Sequence, residues 1–365
     1  MPEAVDQQQM WTDHFAAVFN HSPLASKIWN FAGIATRHTV ANPAVEDLSH
    51  WSTGQRMQRY QREALPLGIE AVERALANAG LAADQVGLLA IVSCTGYATP
   101  GLDIRISQEL GMSPDVQRLV IGHMGCYAAV PGLGAVSDFV VARNKAAVML
   151  CIELTSLHSQ PVEAISSENP TKDDVEQMVA HAIFADAAAA IVLAPSPAPT
   201  QRAAGTSVID IAPRPAAQAP AFEVVDVAAV TDWATQDLMR WDVTDLGFRM
   251  ALSVEVPNVL AQHVCSAVDA LLAKHGYSID DVAGWAVHPG GRKILEVVQQ
   301  RLSLPAGAMD ASYSVLRDYG NCSSPTVLIV LEQLAATTDV PVGAPVVAMA
   351  FGPGLTLYSA LLRRV

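Results

Sequence analysis

The sequence has few charged residues, and basic residues are the scarcer kind. Only 16% of the 365 residues are Asp, Glu, Lys or Arg, and 22 basic against 36 acidic residues give a net charge of −14. Contacts to nucleic-acid phosphates need clustered Lys and Arg, so we expect no nucleic-acid partner. The low charge and the 51% hydrophobic content instead indicate a large core.

Long apolar runs are also missing. No stretch approaches the roughly 20 uninterrupted apolar residues that a membrane-spanning helix needs, so we expect no membrane partner. The first ten residues, MPEAVDQQQM, have neither the basic head nor the apolar segment of a secretory signal. Both absences predict a cytoplasmic protein.

Cysteine is sparse, and its pattern is uninformative for disulfides or metals. The five cysteines are scattered, odd in number and contain no C-x-x-C pair. A disulfide framework and a structural zinc site are therefore disfavoured, and a reducing compartment fits best. The cysteines are Cys94, Cys126, Cys151, Cys265 and Cys322.

The order of predicted strands, turns and helices repeats in the second half of the chain. GWAVHPGGRKILEVVQQRL repeats the pattern of LLAIVSCTGYATPGLDIRISQEL, and VLRDYGNCSSPTVLIVLEQL repeats that of LVIGHMGCYAAVPGLGAV, each as strand, turn and helix. Cys126 follows Ser93 by 33 positions, and Asn321 follows His288 by the same 33. Each half then closes with two strands. This repetition predicts a duplicated α/β fold.

The repeat also predicts how the chain is divided. We expect two α/β halves, residues 1–200 and 201–365, packed face to face rather than folded as independent domains. The Pro- and Ala-rich stretch 195–222, with one short strand, is the best linker candidate. Residues 66–80 read as an amphipathic helix that ends at Gly80. Since ligands collect at strand ends in α/β sheets, Cys126, His288 and Asn321 are expected to meet.

Each of these three residues has an ordinary structural interpretation beside the catalytic one. Cys126 could be a small buried hydrophobe, His288 a hydrogen-bonded core residue and Asn321 a helix N-cap. The predicted helix start at Cys126 favours a lowered thiol pKa, and the Pro-Gly-Gly after His288 holds the chain open beside its ring. Together they predict a thiolate–imidazolium pair with N–H donors for an enolate or oxyanion.

Four stretches carry a family resemblance: GHMGCYAAVPGL, WAVHPGGRKIL, YGNCSSPTVLIVLEQL and AFGPGLTLYSALLR. They resemble the signature stretches of type III polyketide synthases, the chalcone-synthase-like enzymes of the thiolase superfamily. The resemblance runs from AGIATRHTV to the C-terminus, with Ala350 in place of the first Gly of the family's GFGPG loop. It implies a thiolase fold, in which two duplicated α/β halves form a layered αβαβα core, and a homodimer.

The resemblance also implies the reaction. Such an enzyme condenses an acyl thioester starter with malonyl-type extender units by decarboxylation and gives a pyrone, a resorcinol-type or a β-keto product. Its substrates are acyl-CoA and malonyl-CoA, with an acyl-carrier protein as the alternative carrier, and no cofactor or metal is implied. A single-condensation ketosynthase resembling ketoacyl-ACP synthase III stays open as the alternative, although those enzymes typically show His-Gln-Ala-Asn where this chain has HPGG. A non-enzymatic thioester-binding protein and a cysteine hydrolase are disfavoured by the intact trio and the AFGPG loop.

Site residues follow from the same resemblance. Cys126 is expected to carry the acyl chain, while His288 and Asn321 polarise the extender and stabilise its enolate. Phe184 and Met250 match the two gatekeeper positions, although both are ordinary core residue types. Further pocket positions are Cys94, Thr95, Thr99 (reaching into a partner's site), His158, Ser323, Gly352, Pro353 and Gly354.

The substrate entrance and the pocket depart from plant relatives. Lys27 matches one cationic entrance position, Arg292 and Lys293 follow HPGG, and the matches to two neighbouring entrance positions, Leu24 and Phe31, are apolar. His158 and Trp241 stand near positions that are small in those relatives. Bulky side chains there predict a small pocket, one or two extensions and a mainly aliphatic starter.

Overall fold

The computed structural model describes residues 1–160, 170–195, 207–210, 222–336 and 340–365. The strands are β1 Glu3–Asp6, β2 Thr36–Thr39, β3 Val86–Val92, β4 Gln117–Ile121, β5 Ala146–Glu153, β6 Ala187–Pro195, β7 Ser207–Asp210, β8 Phe222–Thr231, β9 Met239–Thr244, β10 Gly247–Leu252, β11 Gly284–Val287, β12 Pro345–Gly352 and β13 Thr356–Arg364. The α-helices are α1 Gln7–Met10, α2 Ala16–Val18, α3 Pro23–Phe31, α4 Thr53–Ala79, α5 Leu102–Glu109, α6 Ala129–Arg143, α7 Lys172–Ile183, α8 Val256–Ala273, α9 Arg292–Arg301, α10 Asp310–Tyr319 and α11 Pro325–Ala336. Short 3₁₀ turns at Gly125–Tyr127, Thr155–His158 and Trp233–Leu238 lie close to the site discussed below.

Within these residues, nine strands form one sheet in the order β11-β12-β13-β8-β7-β6-β5-β3-β4. In the first half β3 runs parallel to β5, and β5 runs antiparallel to β6. The second half repeats this arrangement, since β11 runs parallel to β12 and β12 runs antiparallel to β13. The two half-sheets join where β7 pairs antiparallel with β8. The duplication predicted from the sequence is therefore present in the strand pairing.

Helices cover both half-sheets and also separate them. Helices α6 and α11 contact strands of both halves, α4 packs on β5 and β6, and α8 packs on β8 and β13. Three hydrophobic clusters fill the described part of the fold, one around α6 and α11 and one under each outer helical layer. This layering is the αβαβα core of a thiolase fold, as the resemblance implies.

Helix α4 begins earlier than the sequence pattern suggests. It starts after Ser52 rather than at Pro66, so the predicted start is wrong, while its end at Gly80 is confirmed by the left-handed backbone there (φ 66°). Ser52 and Gln55 form a reciprocal capping box that fixes the start. Pro66, where the predicted helix begins, lies inside the continuous helix.

The stretch VLRDYG is helical, and its prediction as a strand is wrong. It forms the end of α10, in which Ser312, Val315 and Leu316 are buried. This spacing has the helical period of three to four residues rather than the alternation of a strand. Asn321 therefore follows a helix, whereas Cys126 follows strand β4, so the repeat is imperfect at this point.

The linker prediction is only partly covered by the structure. The predicted short strand is β7. Residues 196–206 and 211–221, and with them the expected boundary between residues 200 and 201, lie outside the described residues.

Two described helical segments have the length and mean hydropathy of a membrane span, Gly125–Arg143 and Val256–Ala273. The first packs between the half-sheets through α6, and the second packs against β8 and β13 through α8. Packing inside the fold thus accounts for the apolar side chains of both segments.

Candidate active site

Cys126 lies in a 3₁₀ turn that leads into α6. Gly125 has a left-handed backbone (φ 70°), and a β-carbon there would lie 2.6 Å from Cδ of Pro353. A β-carbon on Gly352 would lie 3.3 Å from the backbone nitrogen of Cys126. The turn at Cys126 and the loop 352–354 can therefore pack this closely only because Gly125 and Gly352 have no side chains at the contact. This contact fixes where the thiol points.

His288 follows the last residue of β11 and is fully buried. Its backbone N–H donates to the carbonyl of Met349 at 2.8 Å, and its ring meets that of Phe351 edge to face with centroids 6.1 Å apart. Neither ring nitrogen has a hydrogen-bond partner among the described residues. Buried polar atoms are normally paired, so these nitrogens are available to a ligand in the adjoining cavity.

Asn321 is held by both its side chain and its backbone. Its Oδ1 accepts from the backbone N–H of Ser323 at 2.9 Å, and its Nδ2 donates to the carbonyl of Gly290 at 3.3 Å. Its backbone pairs with the segment after α7, donating to the carbonyl of Ile183 and accepting from Ala185, both at 2.9 Å. The amide keeps one N–H free of these contacts.

Burial keeps both the thiol and the imidazole neutral. It raises the pKa of Cys126 to about 12, although hydrogen bonds from Ser323 and Asn321 lower it in part. Burial likewise lowers the pKa of His288 to about 3. The prediction that the helix start lowers the thiol pKa is wrong, because desolvation outweighs the dipole of the short turn.

Cys126, His288 and Asn321 line one cavity of about 250 Å³, here called the outer cavity. Most of its other lining residues are apolar, and Arg292 and Lys293 lie at its edge. The Arg292 guanidinium lies over the half-exposed ring of Phe31, 5.1 Å from its centroid. Two of the predicted entrance cations thus lie at the mouth of the cavity that contains the three central residues.

A second cavity of about 320 Å³, here called the inner cavity, is also lined by Cys126. It contains most of the pocket positions predicted from the sequence. These are Cys94, Thr95, Phe184, Met250, Ser323, Pro353 and Gly354, together with Trp241.

Cys126, Phe184 and Met239 line both cavities and so lie between them. Met250, the second predicted gatekeeper, lines the inner cavity but not the outer one. Sequence reasoning missed Met239, which no motif marks because it follows a 3₁₀ turn at the start of β9. The flexible thioether of Met239, which lies between the two cavities, can adapt to different acyl groups.

Glu153 is a buried carboxylate that the sequence analysis also missed. It accepts from the backbone N–H groups of Cys94 and Thr95 and from the hydroxyls of Thr95 (2.7 Å) and Ser324 (2.9 Å). Burial raises its pKa, while these hydrogen bonds oppose the rise. An acid inside the apolar strand VMLCIEL was the available signal. Glu153 joins the Cys94–Thr95 wall of the inner cavity to the segment that follows Asn321.

His158 lies behind the inner cavity rather than in its lining. Its Nδ1 accepts from the N–H of Phe248 at 3.0 Å, so its Nε2 carries the proton and donates to the carbonyl of Thr95 at 2.6 Å. Its ring meets Trp241 edge to face, and the Trp241 indole N–H donates to the carbonyl of Cys94 at 2.9 Å. His158 therefore braces the wall that Trp241 presents to the cavity.

Three other sequence-predicted residues lie outside both cavities. Thr99 and Lys27 are exposed, and Gly352 contacts the Cys126 turn through its backbone. Among the described residues, no group of three or more His, Cys, Asp or Glu side chains is arranged to hold a metal ion.

A duplicated α/β fold in which a cysteine, a histidine and an asparagine converge on one cavity defines a condensing enzyme of the thiolase type. Residues 30–197 match the N-terminal domain and residues 230–365 the C-terminal domain of the chalcone and stilbene synthases. The chain belongs to this family, the type III polyketide synthases, which are acyltransferases that condense an acyl thioester with malonyl-type units.

Individual relatives agree with this assignment. The chain is 33% identical over 341 residues to the 1,3,6,8-tetrahydroxynaphthalene synthase of Streptomyces peucetius subsp. caesius, covering 93% of this chain and 83% of that protein. It is 32% identical over 308 residues to the alpha-pyrone synthesis polyketide synthase-like Pks18 of Mycobacterium tuberculosis, covering 84% and 72%. The crystal structure of the tetrahydroxynaphthalene synthase of Streptomyces coelicolor superposes with a TM-score of 0.85 at 25% identity, covering 100% of this chain and 96% of that one.

The buried histidines predict a loss of stability in acid. Burial lowers the pKa of His181 and of His158 to about 4, against about 6.5 in an unfolded chain. The stability that each neutral imidazole contributes is complete above pH 6.5 and is lost as the pH falls towards 4. We expect His181→Phe, which keeps a ring beside Phe15, to flatten this decline.

The measurement is the urea midpoint of parent and variant at half-unit steps from pH 7.5 to 4.5. The slope of the urea midpoint against pH is compared between the two proteins. Buried carboxyl groups with raised pKa change this slope in the opposite direction, but they do so equally in both proteins, so their contribution cancels. Parallel slopes for the two proteins would contradict a neutral buried His181.

Proposed function

We propose that Cys126 accepts the starter acyl group and that His288 and Asn321 drive decarboxylation of the extender. The observation that carries this proposal is the position of Cys126 at the junction of two cavities, with His288 and Asn321 on the outer one. A thioester carrier enters through the outer cavity, past Arg292 and Lys293, and the growing chain occupies the inner one.

Acyl transfer begins when Sγ of Cys126 attacks the thioester carbonyl of the starter. A ring nitrogen of His288 takes the thiol proton as the carbon–sulfur bond forms, and the carrier thiol leaves with that proton. Because both groups are neutral before the attack, the proton moves only as charge develops on sulfur.

Extension then uses the same side chains as hydrogen-bond donors. Carbon dioxide leaves the malonyl group, and the electron pair of the broken C–C bond passes to the thioester oxygen as an enolate. The N–H groups of His288 and Asn321 stabilise that oxygen. The enolate carbon attacks the acyl-Cys126 carbonyl, and a β-keto thioester forms as the Cys126 thiolate is released.

The first test follows both half-reactions. Incubation with an acyl-CoA followed by peptide mass mapping is expected to place the adduct on Cys126. His288→Ala and Asn321→Ala are each expected to slow malonyl-CoA decarboxylation by about 10²–10³-fold, the usual loss for one oxyanion donor. An adduct that persists in Cys126→Ala, or near-normal carbon dioxide release from either alanine variant, would refute the assigned roles.

We propose one or two extensions on a mainly aliphatic starter, with a small pyrone or β-keto product. The indole of Trp241 in the wall of the inner cavity supports a short chain. The names of the relatives include both tetrahydroxynaphthalene and alpha-pyrone synthesis, so product length separates the possibilities for this chain. Because His158 does not line the inner cavity, it limits product length only by supporting the indole of Trp241.

Trp241→Gly is expected to lengthen the product, since it opens the inner cavity towards a smaller cavity of about 80 Å³ behind the indole. Val243→Gly is the matched control, because it makes the same replacement on the same strand at a side chain that is 71% exposed. The measurement is product mass from a panel of acyl-CoA starters. Tetraketides or longer products from the parent enzyme with a bulky aromatic starter would contradict the proposal.

We also propose a two-fold homodimer that acts in the cytoplasm. All five cysteines lie among the described residues and carry free thiols, which suits a reducing compartment. The edge strand β4 is mostly solvent-exposed, with Val120 59% exposed. Such an edge favours pairing with a second copy, which would bring Thr99 towards the partner's site.

Val120→Lys tests the dimer, because a charge on an edge strand opposes strand pairing. We expect the parent to sediment as a dimer at micromolar concentration and the variant to shift towards monomer and lose activity. Val342, which is 80% exposed before β12 near the opposite end of the sheet, provides the matched control as Val342→Lys. A fully active parent monomer would refute the proposal.

A further inference from the structure

The C-terminal end of α7 has an unusual set of hydrogen-bond partners. Helix ends leave four carbonyls without partners inside the helix, and they need donors from elsewhere. Helix α7 ends at Ile183 without a glycine, and Phe184 continues in extended conformation (φ −74°, ψ 145°). The N–H of Phe184 closes the helix on the carbonyl of Ala180 at 3.2 Å. The carbonyls that follow must therefore find other donors.

Those donors come from the N-terminal segment and from the active site. Arg37 donates through Nη1 to the carbonyls of His181 (2.7 Å) and Phe184 (2.9 Å). Gln7 donates to the carbonyl of Ala182 at 3.0 Å. The remaining carbonyl, that of Ile183, accepts from the backbone of Asn321. The guanidinium of Arg37 thus holds carbonyls on both sides of Ile183, the residue to which the backbone of Asn321 is hydrogen-bonded.

Arg37 is built into this position. It is 4% exposed, its guanidinium carbon lies 4.9 Å from the ring centroid of buried Trp29, and its Nη2 contacts Sδ of Met10. Burial lowers the pKa of Arg37 to about 10, while the nearby Asp186 opposes that effect, so the guanidinium stays charged at neutral pH. A cation at a helix C-terminus is stabilised by the negative end of the helix dipole.

The aliphatic stem of Arg37 lies against the chain that carries Asn321. A β-carbon on Gly320 (φ 73°) would lie 3.1 Å from the carbonyl oxygen of Ile183 and 3.2 Å from Cγ of Arg37. Phe184 and Asn321 are bridged in parallel through their backbones. A shift of Arg37 therefore moves two groups together. These are the Phe184 side chain, which lies between the two cavities, and the Asn321 amide, which lines the outer cavity.

We infer that Arg37 is a positioning residue for both Phe184 and Asn321. It touches neither substrate nor a reacting atom, and it acts by fixing the carbonyls on either side of their backbone bridge. The inference rests on the proposed roles of Phe184 and Asn321. A misplacement of about 1 Å at a reacting group can cost about 10²-fold in rate, so the effect of losing Arg37 is measurable.

The test compares Arg37 with a second buried arginine. Arg56 is fully buried, its pKa is likewise lowered to about 10 by burial, and it donates to the carbonyls of Leu48, Ser49, Trp51 and Leu157. Arg37→Met and Arg56→Met both leave buried carbonyls without donors and are expected to lower the melting temperature. Only Arg37→Met is expected to disturb the outer cavity and so decarboxylation, because Arg56 lies on the side of the inner cavity, where it donates to the carbonyl of Leu157.

The readouts are the kcat and KM of malonyl-CoA decarboxylation and the rate of starter transfer to Cys126, each per folded molecule as counted by near-ultraviolet circular dichroism. Arg37→Met is expected to lower kcat/KM for decarboxylation by about 10²-fold. Arg37→Lys keeps the positive charge but loses the planar guanidinium with its several N–H donors, and it is expected to lower the same ratio by about 10-fold. Arg56→Met is expected to stay within about threefold of the parent on the same scale.

Equal kcat/KM values for Arg37→Met and Arg56→Met would overturn the inference and leave Arg37 a purely structural residue. If Arg37→Met does not fold, Arg37→Lys decides, and parental decarboxylation per folded molecule would overturn it. Asn321→Ala separates this inference from the proposed function. Should that variant keep decarboxylation, the role assigned to Asn321 fails, and the positioning of Phe184 is then judged from starter transfer alone.

Discussion

The active site depends on the contact between the two halves of the chain. The hydroxyl of Ser324 in the second half donates to Glu153 in the first, and the backbone of Asn321 is bonded on both sides to the segment after α7. Pro353 lies so close to Gly125 that no side chain fits between them. Since each contact joins segments more than 130 residues apart, neither half can set the geometry around Cys126 without the other. The face-to-face duplication is thus a requirement of the chemistry as well as of the core.

The sequence was sufficient for the central residues because each lies at the end of a regular element. Strand β11 ends before His288 and a turn precedes α6 at Cys126, so periodicity and glycine spacing located both. The same reasoning failed for VLRDYG, which was predicted as a strand although the spacing of its buried side chains is helical. It also failed for Met239, Glu153 and Arg37. Their roles arise from contacts between distant segments, which a local pattern does not contain.

The protonation states follow from how thoroughly the site is enclosed. Water would stabilise a thiolate and an imidazolium, and its exclusion raises the pKa of Cys126 and lowers that of His288. The same exclusion strengthens any hydrogen bond to charge that develops during reaction. A neutral imidazole with unpartnered nitrogens can accept a proton in one step and donate an N–H to an enolate in another. A permanent ion pair would need to be dissolved before each extension.

Phe184 and Met239 separate the outer cavity from the inner one, which has a further consequence for the growing chain. In the reaction proposed above, the enolate forms in the outer cavity, which His288 and Asn321 line, and the ketones already made occupy the inner cavity, which Thr95, Ser323 and Trp241 line. The depth available to them is set by the indole of Trp241, which is tied to the carbonyl of Cys94. That carbonyl belongs to the turn whose N–H groups Glu153 holds and whose Thr95 carbonyl accepts from His158. On the proposed route, product length is a property of this hydrogen-bonded wall, and the side chains that fix the wall matter as much as those that face the substrate.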